Sequence, residues 1–221
     1  MKVELLNYFG NDLMVVNAAR VSYDKFKDKF ENNDNKLINY LVKHRHNSPF
    51  RHPQLQFRIE CPIFVERQLF KHQIGLTANS ISGRYVDFSD SYSIPTSLRL
   101  QSKDSKQGSS GLLKDSSELL DKINNLVNQC SSLYSELCDK GVAKEQARII
   151  LPLCLNTKFI WTGSLAAFLH LFDLRLKQDT QEETRDIAKQ MLQEIRNIPG
   201  EPFKYTLEAF NFGLTNGEAV V

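Results

Sequence analysis

QLQFRIECPIFVERQLFKHQIGLTANSISGRY, residues 54–85, is the stretch that decides how this chain is read. Its first eight residues alternate: Leu55, Phe57, Ile59 and Cys61 are apolar, while Gln54, Gln56, Arg58 and Glu60 are polar. A period of two sends one set to a core and the other to solvent, so 54–61 predicts a strand. Pro62 has no N–H to continue a ladder, and its fixed φ suits the first turn of a helix. The pattern predicts that helix from Ile63 to about His72. A polar loop, TANSISGR, follows, and then a strand carrying Tyr85, Phe88 and Tyr92.

Working outward, Lys2–Tyr8 reads as a first strand and residues 11–22 as a helix capped by Asn11 or Asp12. Leu37, Ile38, Leu41 and Val42 set one buried stripe on a second helix. Downstream, QSKDSKQGSSGLLKDSS (101–117) reads as a Ser/Lys/Gly-rich connection with no function of its own. Apolar residues at 119, 120, 123, 126, 127, 130, 133, 134 and 137 predict a long helix, with Gly141 suited to its end. Lys144–Ile150 is a shorter helix stopped by Pro152, and Trp161–Lys177 is so apolar that it predicts a central core helix. Thr180 and Glu183 have capping-box spacing for a last long helix, which ends at Asn197-Ile198-Pro199-Gly200. Strands mixed with helices early, and helices late, predict an α+β fold. Its sheet is small, antiparallel or mixed, packed with helices, and lacks alternating βαβ units. The length suits a single domain over 1–221.

The bulk properties exclude several function classes. Among 221 residues, 41% are apolar and 24% charged, and the net charge of +2 creates no global pull toward nucleic acid or a membrane surface. No stretch approaches the ~20 apolar residues that span a bilayer. MKVELLNYFGNDL at the N-terminus lacks the apolar centre of a secretory signal, so the expected location is the cytoplasm. Cys61, Cys130, Cys138 and Cys154 form no CxxC pair and no metal-like spacing with histidine. They read as free thiols in a reducing compartment, and no metal site is expected. No GxGxxG run appears, so a flavin or nicotinamide would not be held in a Rossmann manner.

The chemistry is concentrated in residues 62–85. On a helix, Gln68, Lys71 and His72 lie within one turn and can face one site. Ser80, Ser82, Gly83 and Arg84 follow. Hydroxyls, backbone N–H groups freed by a glycine, and a guanidinium together suit a phosphate. Taken alone, these residues fit an anion or nucleotide site about as well as a solvated helix end followed by a turn.

Order and spacing add more. Lys71-His72-Gln73, eight residues, then Ser82-Gly83-Arg84-Tyr85 resembles the signature of the flavin-dependent thymidylate synthases: Arg-His-Arg, seven residues, then Ser-Gly-Arg-Tyr. NAARVSY (17–23) is similar to the family's N-terminal helix, and KHRHNSPFRH (43–52) to its flavin-contacting His-x-Ser/Thr-Pro-Phe-x-His segment. PIFVERQ (62–68) matches closely, and EQARIILPLCLNTKFIWTGSLAAFLHLFDLR (145–175) resembles the C-terminal core. The resemblance implies that family's fold and these roles. Gln68, Lys71, Ser80, Ser82, Gly83, Arg84 and Arg148 would bind dUMP. Arg175 would contact the uracil ring, favour ionisation at N3 and serve as the catalytic residue. Ser22, His46, Ser48, Lys71, His72, Gln73, Ile74, Ser164 and His170 would line FAD. NADPH and methylenetetrahydrofolate would be cosubstrates, and the sites would be shared between subunits of a homotetramer.

Several positions depart from the family pattern. Lys71 and Gln73 stand where arginines are usual, and one extra residue sits in the loop that follows. Ser80 and Arg51 stand where glutamates are common, and Ser164 and Ala166 where many members have Asn and Arg. Lysine keeps the charge but loses the planar bidentate fork of arginine. None of the four cysteines lies in a motif that would activate uracil by thiolate addition. Stabilisation of negative charge on the pyrimidine by Arg175, Arg148 and Lys71 is the implied alternative. The expected reaction is therefore reductive methylation of dUMP. The competing readings are hydroxymethyl transfer, action on dCMP, or a non-catalytic nucleotide- or RNA-binding protein on the same scaffold.

Overall fold

The computed structural model describes residues 1–86, 91–103 and 107–212. Its centre is the predicted strand β2 (Gln54–Pro62), flanked on one side by β1 (Lys2–Phe9) and on the other by β6 (Asn156–Ser164). β3 (Leu76–Ser80) closes a four-stranded sheet of order β1-β2-β6-β3, in which every pairing is antiparallel. The alternation read from the sequence sets the register: Leu55, Phe57, Ile59 and Cys61 are buried, and Phe57 lies opposite Trp161. On the other face Gln56 donates to Thr162 Oγ1 at 3.0 Å.

Helices cover the apolar face. These are α1 (Asp12–Arg20), α2 (Asp34–Lys43), α3 (Ile63–Leu69), α6 (Leu165–Arg175), α7 (Glu182–Arg196) and α8 (Lys204–Ala209). Phe168, Leu171 and Phe172 of α6 and Ile187, Met191 and Ile195 of α7 join the strand residues in one buried cluster. Phe168 packs edge-on against both Phe57 (5.1 Å between centroids) and Trp161 (5.7 Å). Edge-to-face pairs of this kind each add about 0.5–1.5 kcal/mol beyond area burial. The four cysteines are free. Among the described residues no helix is long and apolar enough to cross a membrane.

The expected α+β class with a small antiparallel sheet holds, and several boundaries shift. Trp161 belongs to a strand, and the helix expected over Trp161–Lys177 begins at Leu165. The segment NTKFIWTGS alternates, with Thr157, Phe159, Trp161 and Gly163 buried. That period of two merges into the apolar helix behind it and is masked. Gly163 is required here because an added Cβ would sit 2.5 Å from Gly75 O and 2.4 Å from Leu76 Cδ2, where β3 crosses. Half of the expected TANSISGR loop is thus strand β3. The expected strand over 85–92 is absent among the described residues: Tyr85 lies in a turn and Tyr92 makes an isolated bridge to Leu155, while Phe88 is outside the described residues.

The Ser/Lys/Gly-rich connection carries an antiparallel hairpin, β4 (Arg99–Gln101) and β5 (Ser109–Leu112). Helix α4 (Ser117–Asp139) matches its prediction, and α5 (Lys144–Ala147) runs into a 3-10 turn that carries Arg148. Asn11 caps α1 as expected, accepting from Met14 N at 2.9 Å. The Thr180/Glu183 capping box does not form, because Thr180 Oγ1 instead donates to Leu174 O at 3.0 Å. Helix α8, unanticipated, is anchored by Asp12, only 5% exposed, which accepts from Tyr205 N, Thr206 N and Thr206 Oγ1.

Candidate active site

Two strands pass into helices without a loop, and both junctions feed one site. Pro62 ends β2 and caps α3, whose last turn tightens as Lys71 N donates to Gln68 O (3.4 Å) and His72 N to Leu69 O (3.0 Å). Helix α3 therefore stops at Leu69, short of the predicted His72, and releases Lys71, His72, Gln73 and Ile74 as an irregular corner before β3. Ser164 ends β6 and caps α6, its Oγ accepting from Ala167 N at 3.3 Å while its N–H donates to Gly75 O at 3.2 Å. The corner and the start of α6 are thereby stitched together. Helix α6 ends on Arg175.

Arg175 and His72 meet: Arg175 Nε donates to His72 Nε2 at 2.8 Å. Imidazole accepts there only when that nitrogen is unprotonated. Burial, then Arg175, then His170, hold the His72 pKa down at about 4, so the ring is neutral near neutral pH. His170 stands edge-on to His72, 6.0 Å between centroids. With Nε committed, the guanidinium Nη groups of Arg175 make no hydrogen bond to a described residue and remain available as charged donors.

In the last turn of α3, Gln68 Nε2 donates to Gln181 Oε1 at 3.4 Å, and Gln68 Oε1 is buried without a partner. Ser82, Gly83 and Arg84 form a turn in which Arg84 N donates to Ser82 Oγ and Tyr85 N to Ser82 O. The Arg84 guanidinium lies over the Tyr85 ring at 5.3 Å. Lys71 and Arg84 are exposed cations, and Gly83 is buried. Ser80 Oγ donates to Glu66 Oε1 at 2.7 Å. A carboxylate is therefore present beside the position where the family often has one, but it comes from α3. Burial raises the Glu66 pKa, against the opposing bond from Ser80 and the charge of Arg67.

The remaining candidates sit elsewhere. Ser22 lies in an exposed 3-10 turn after α1, and Ser48 opens another before β2. His46 packs against Tyr40 and His44 (6.0 and 6.3 Å), and Arg148 is exposed. Among the described residues no hydrogen bond or ring contact joins these four, or Ser82, Gly83 and Arg84, to the His72–Arg175 group. Sequence reasoning missed Glu66 and Gln181. Glu66 stood inside a quoted motif with no role attached, and its partner Ser80 lies 14 residues further along the chain. Gln181 carried no local signal, since it is 113 residues from Gln68.

The corner suits a flavin. Ile74 is 91% exposed and apolar, it follows His72 and Gln73 in the chain, and the His72 ring stands edge-on to His170. A ring system with apolar faces and a polar edge needs that combination.

The family model described as thymidylate synthase complementing protein matches residues 4–199. A flavin-dependent thymidylate synthase of Thermus thermophilus is 39% identical over 194 residues, covering 88% of this chain and 71% of that protein. One of Thermotoga neapolitana is 37% identical over 209 residues, covering 94% and 89%. The crystal structure of a UMP/dUMP methylase from Streptomyces cacaoi, bound with 5-Br dUMP, matches with a TM-score of 0.83 at 28% identity, covering 96% of this chain and 95% of that one. With a match running through β1 to the end of α7 and containing every residue of the corner, the chain belongs to the flavin-dependent thymidylate synthase family.

Proposed function

We propose that this chain methylates dUMP to dTMP, with FAD as hydride carrier, methylenetetrahydrofolate as carbon donor and NADPH as reductant. The observation that carries the reading is the pairing of a neutral His72 with Arg175, which fixes a guanidinium at the corner with its Nη donors unspent. Carbon 5 of uracil is a weak nucleophile, and it gains strength when negative charge on the ring is stabilised. A pre-oriented cation does this without reorganisation at the moment of reaction. Arg175 fills that role, and Lys71, Ser82, Gly83, Arg84 and Arg148 take the phosphate. Gln68 and Ser80 complete the nucleotide site, Ser80 together with Glu66. His72, His170, Gln73, Ile74 and Ser164 hold one side of FAD, which when bound supplies the hydride. Ser22, His46 and Ser48 face the flavin from another subunit of a homotetramer. The exposure of these three residues and of Arg148, away from the corner, supports a site shared between chains. The protein works as one domain in the cytoplasm.

The test is anaerobic incubation with dUMP, methylenetetrahydrofolate, NADPH and FAD, followed by mass measurement of the nucleotide. FAD-dependent gain of one methyl group is expected. A hydroxymethyl product, or turnover of dCMP with none of dUMP, would overturn the named reaction. The solved UMP/dUMP methylase is a reason to offer UMP in a parallel reaction.

A further inference from the structure

The side-chain orientation of Gln68, a nucleotide candidate, is set through a row of partners from distant parts of the chain. At the far end of a hydrogen-bonded row stands Arg99, on β4 of the hairpin. Its Nη2 donates to Glu183 Oε1 at 2.5 Å and its Nη1 to Glu182 Oε2 at 2.9 Å. A guanidinium only donates and a carboxylate only accepts. Burial raises the Glu183 pKa, but the bonds from Arg99, the Glu183 backbone and Gln181 together outweigh it and keep the carboxyl below its usual range. Glu183 Oε2 therefore draws the NH2 end of Gln181, at 3.0 Å. Gln181 has to turn its oxygen the other way, and there it accepts from Gln68 Nε2 at 3.4 Å. Two amides whose oxygen and nitrogen could otherwise exchange places are polarised by the ion pair at the end of the row.

What remains is Gln68 Oε1, buried and without a partner. A buried acceptor left unmet costs about 1–3 kcal/mol, a cost that an incoming hydrogen-bond donor removes. Phosphate oxygens at neutral pH bring no such hydrogen. A sugar hydroxyl or the pyrimidine N3–H does.

We infer that Arg99, Glu183 and Gln181 are positioning residues that present Gln68 as an acceptor to a hydroxyl or N–H of the nucleotide. The inference rests on the placement of dUMP at this corner under the proposed function. It gives the hairpin over 99–112 a task at the site: the hairpin supplies the fixed charge that sets the polarity of the row.

The experiment measures, by titration calorimetry on the FAD-loaded protein, binding of dUMP, 3-methyl-dUMP and 2′,3′-dideoxyuridine monophosphate. The first analogue lacks the ring donor and the second the sugar donor. The wild type is expected to bind one of the two about tenfold more weakly than dUMP, the upper range for one neutral hydrogen bond. Glu183→Gln and Gln181→Ala are expected to weaken dUMP several-fold and to lose that discrimination, with kcat at saturating dUMP within about threefold of wild type. Arg99→Lys should retain discrimination and Arg99→Ala should lose it, a rescue that a merely structural role would not produce. Equal binding of all three nucleotides by the wild type overturns the inference. So does undiminished discrimination in Glu183→Gln. Failure of dUMP itself to bind the wild type overturns the placement of the nucleotide, and with it the proposed function.

Discussion

The corner at Lys71–Ile74 and the exposed turns at Ser22 and His46–Ser48 contribute to the same expected site, yet they are built in opposite ways. The corner hangs between two strand-to-helix junctions and follows directly on Phe70, whose ring packs against Phe159 (4.9 Å) and Trp161 (6.0 Å). Its key contact, Arg175 to His72, joins residues 103 apart in sequence. The side chains of Ser22, His46 and Ser48 face solvent, although Pro49 and Phe50 just behind them are buried. A rigid half fixes charge and geometry, and an exposed half leaves its side chains ready for something that arrives. Substitutions in the first half should therefore move both stability and chemistry, whereas those in the second should move binding alone.

The sharpest way to break that contrast is Arg175→Ala. Removing a pre-oriented charge of this type costs about 10²–10³ in kcat. Steady-state turnover should fall by that order while gel filtration shows the assembly of the wild type unchanged. Retained turnover would remove Arg175 from its role. Next in size is Gly163→Val. Its side chain would collide with a backbone carbonyl of the corner, and overpacking of this kind costs about 1–3 kcal/mol. At roughly 2–4 °C per kcal/mol for a chain of this length, a thermal melt should show a clear drop. Arg148→Ala addresses a third exposed position, on the 3-10 turn after α5. The melting temperature should stay within the change produced by about 0.5 kcal/mol, while KM for dUMP rises about tenfold. A lowered melting temperature with unchanged KM would assign Arg148 to the scaffold.

The smallest effect is a pH dependence. The folded His72 has its pKa lowered to about 4, below the usual 6.5. Between those values the unfolded chain binds the proton that the folded ring refuses, so this contribution to stability is complete above pH 6.5 and is lost as pH falls toward 4. His72→Asn should flatten the fall in melting temperature over that window. An unaltered slope would mean that other groups set it.

How much of this was legible in the sequence follows the same division. Strand β2 and helix α4 were readable because one uninterrupted period governs each. Strand β6 was not, because its alternation joins a helix apolar on nearly every side, so no change of period is visible at Ser164. Helix α8 was missed because six residues carry too little periodicity, and its cap, Asp12, lies at the other end of the chain. At the site, the residues of the corner were legible through motif order. Glu66 and Gln181 were not, since their importance comes from a partner supplied by folding: Ser80 in one case and the row ending on Arg99 in the other.

The two strand-to-helix junctions also limit how this protein can change length. Between β2 and α3, and between β6 and α6, there is no slack: each helix starts on the residue after its strand ends. One residue inserted in α3 or α6 would turn everything beyond it by about 100° and advance it by about 1.5 Å, swinging His72 or Arg175 off its mark. The same insertion in the exposed turn at Lys114 and Asp115, ahead of α4, would be absorbed there. Tolerance to insertion should therefore be sharply uneven along the chain, close to zero across the two junctions and generous a few dozen residues away.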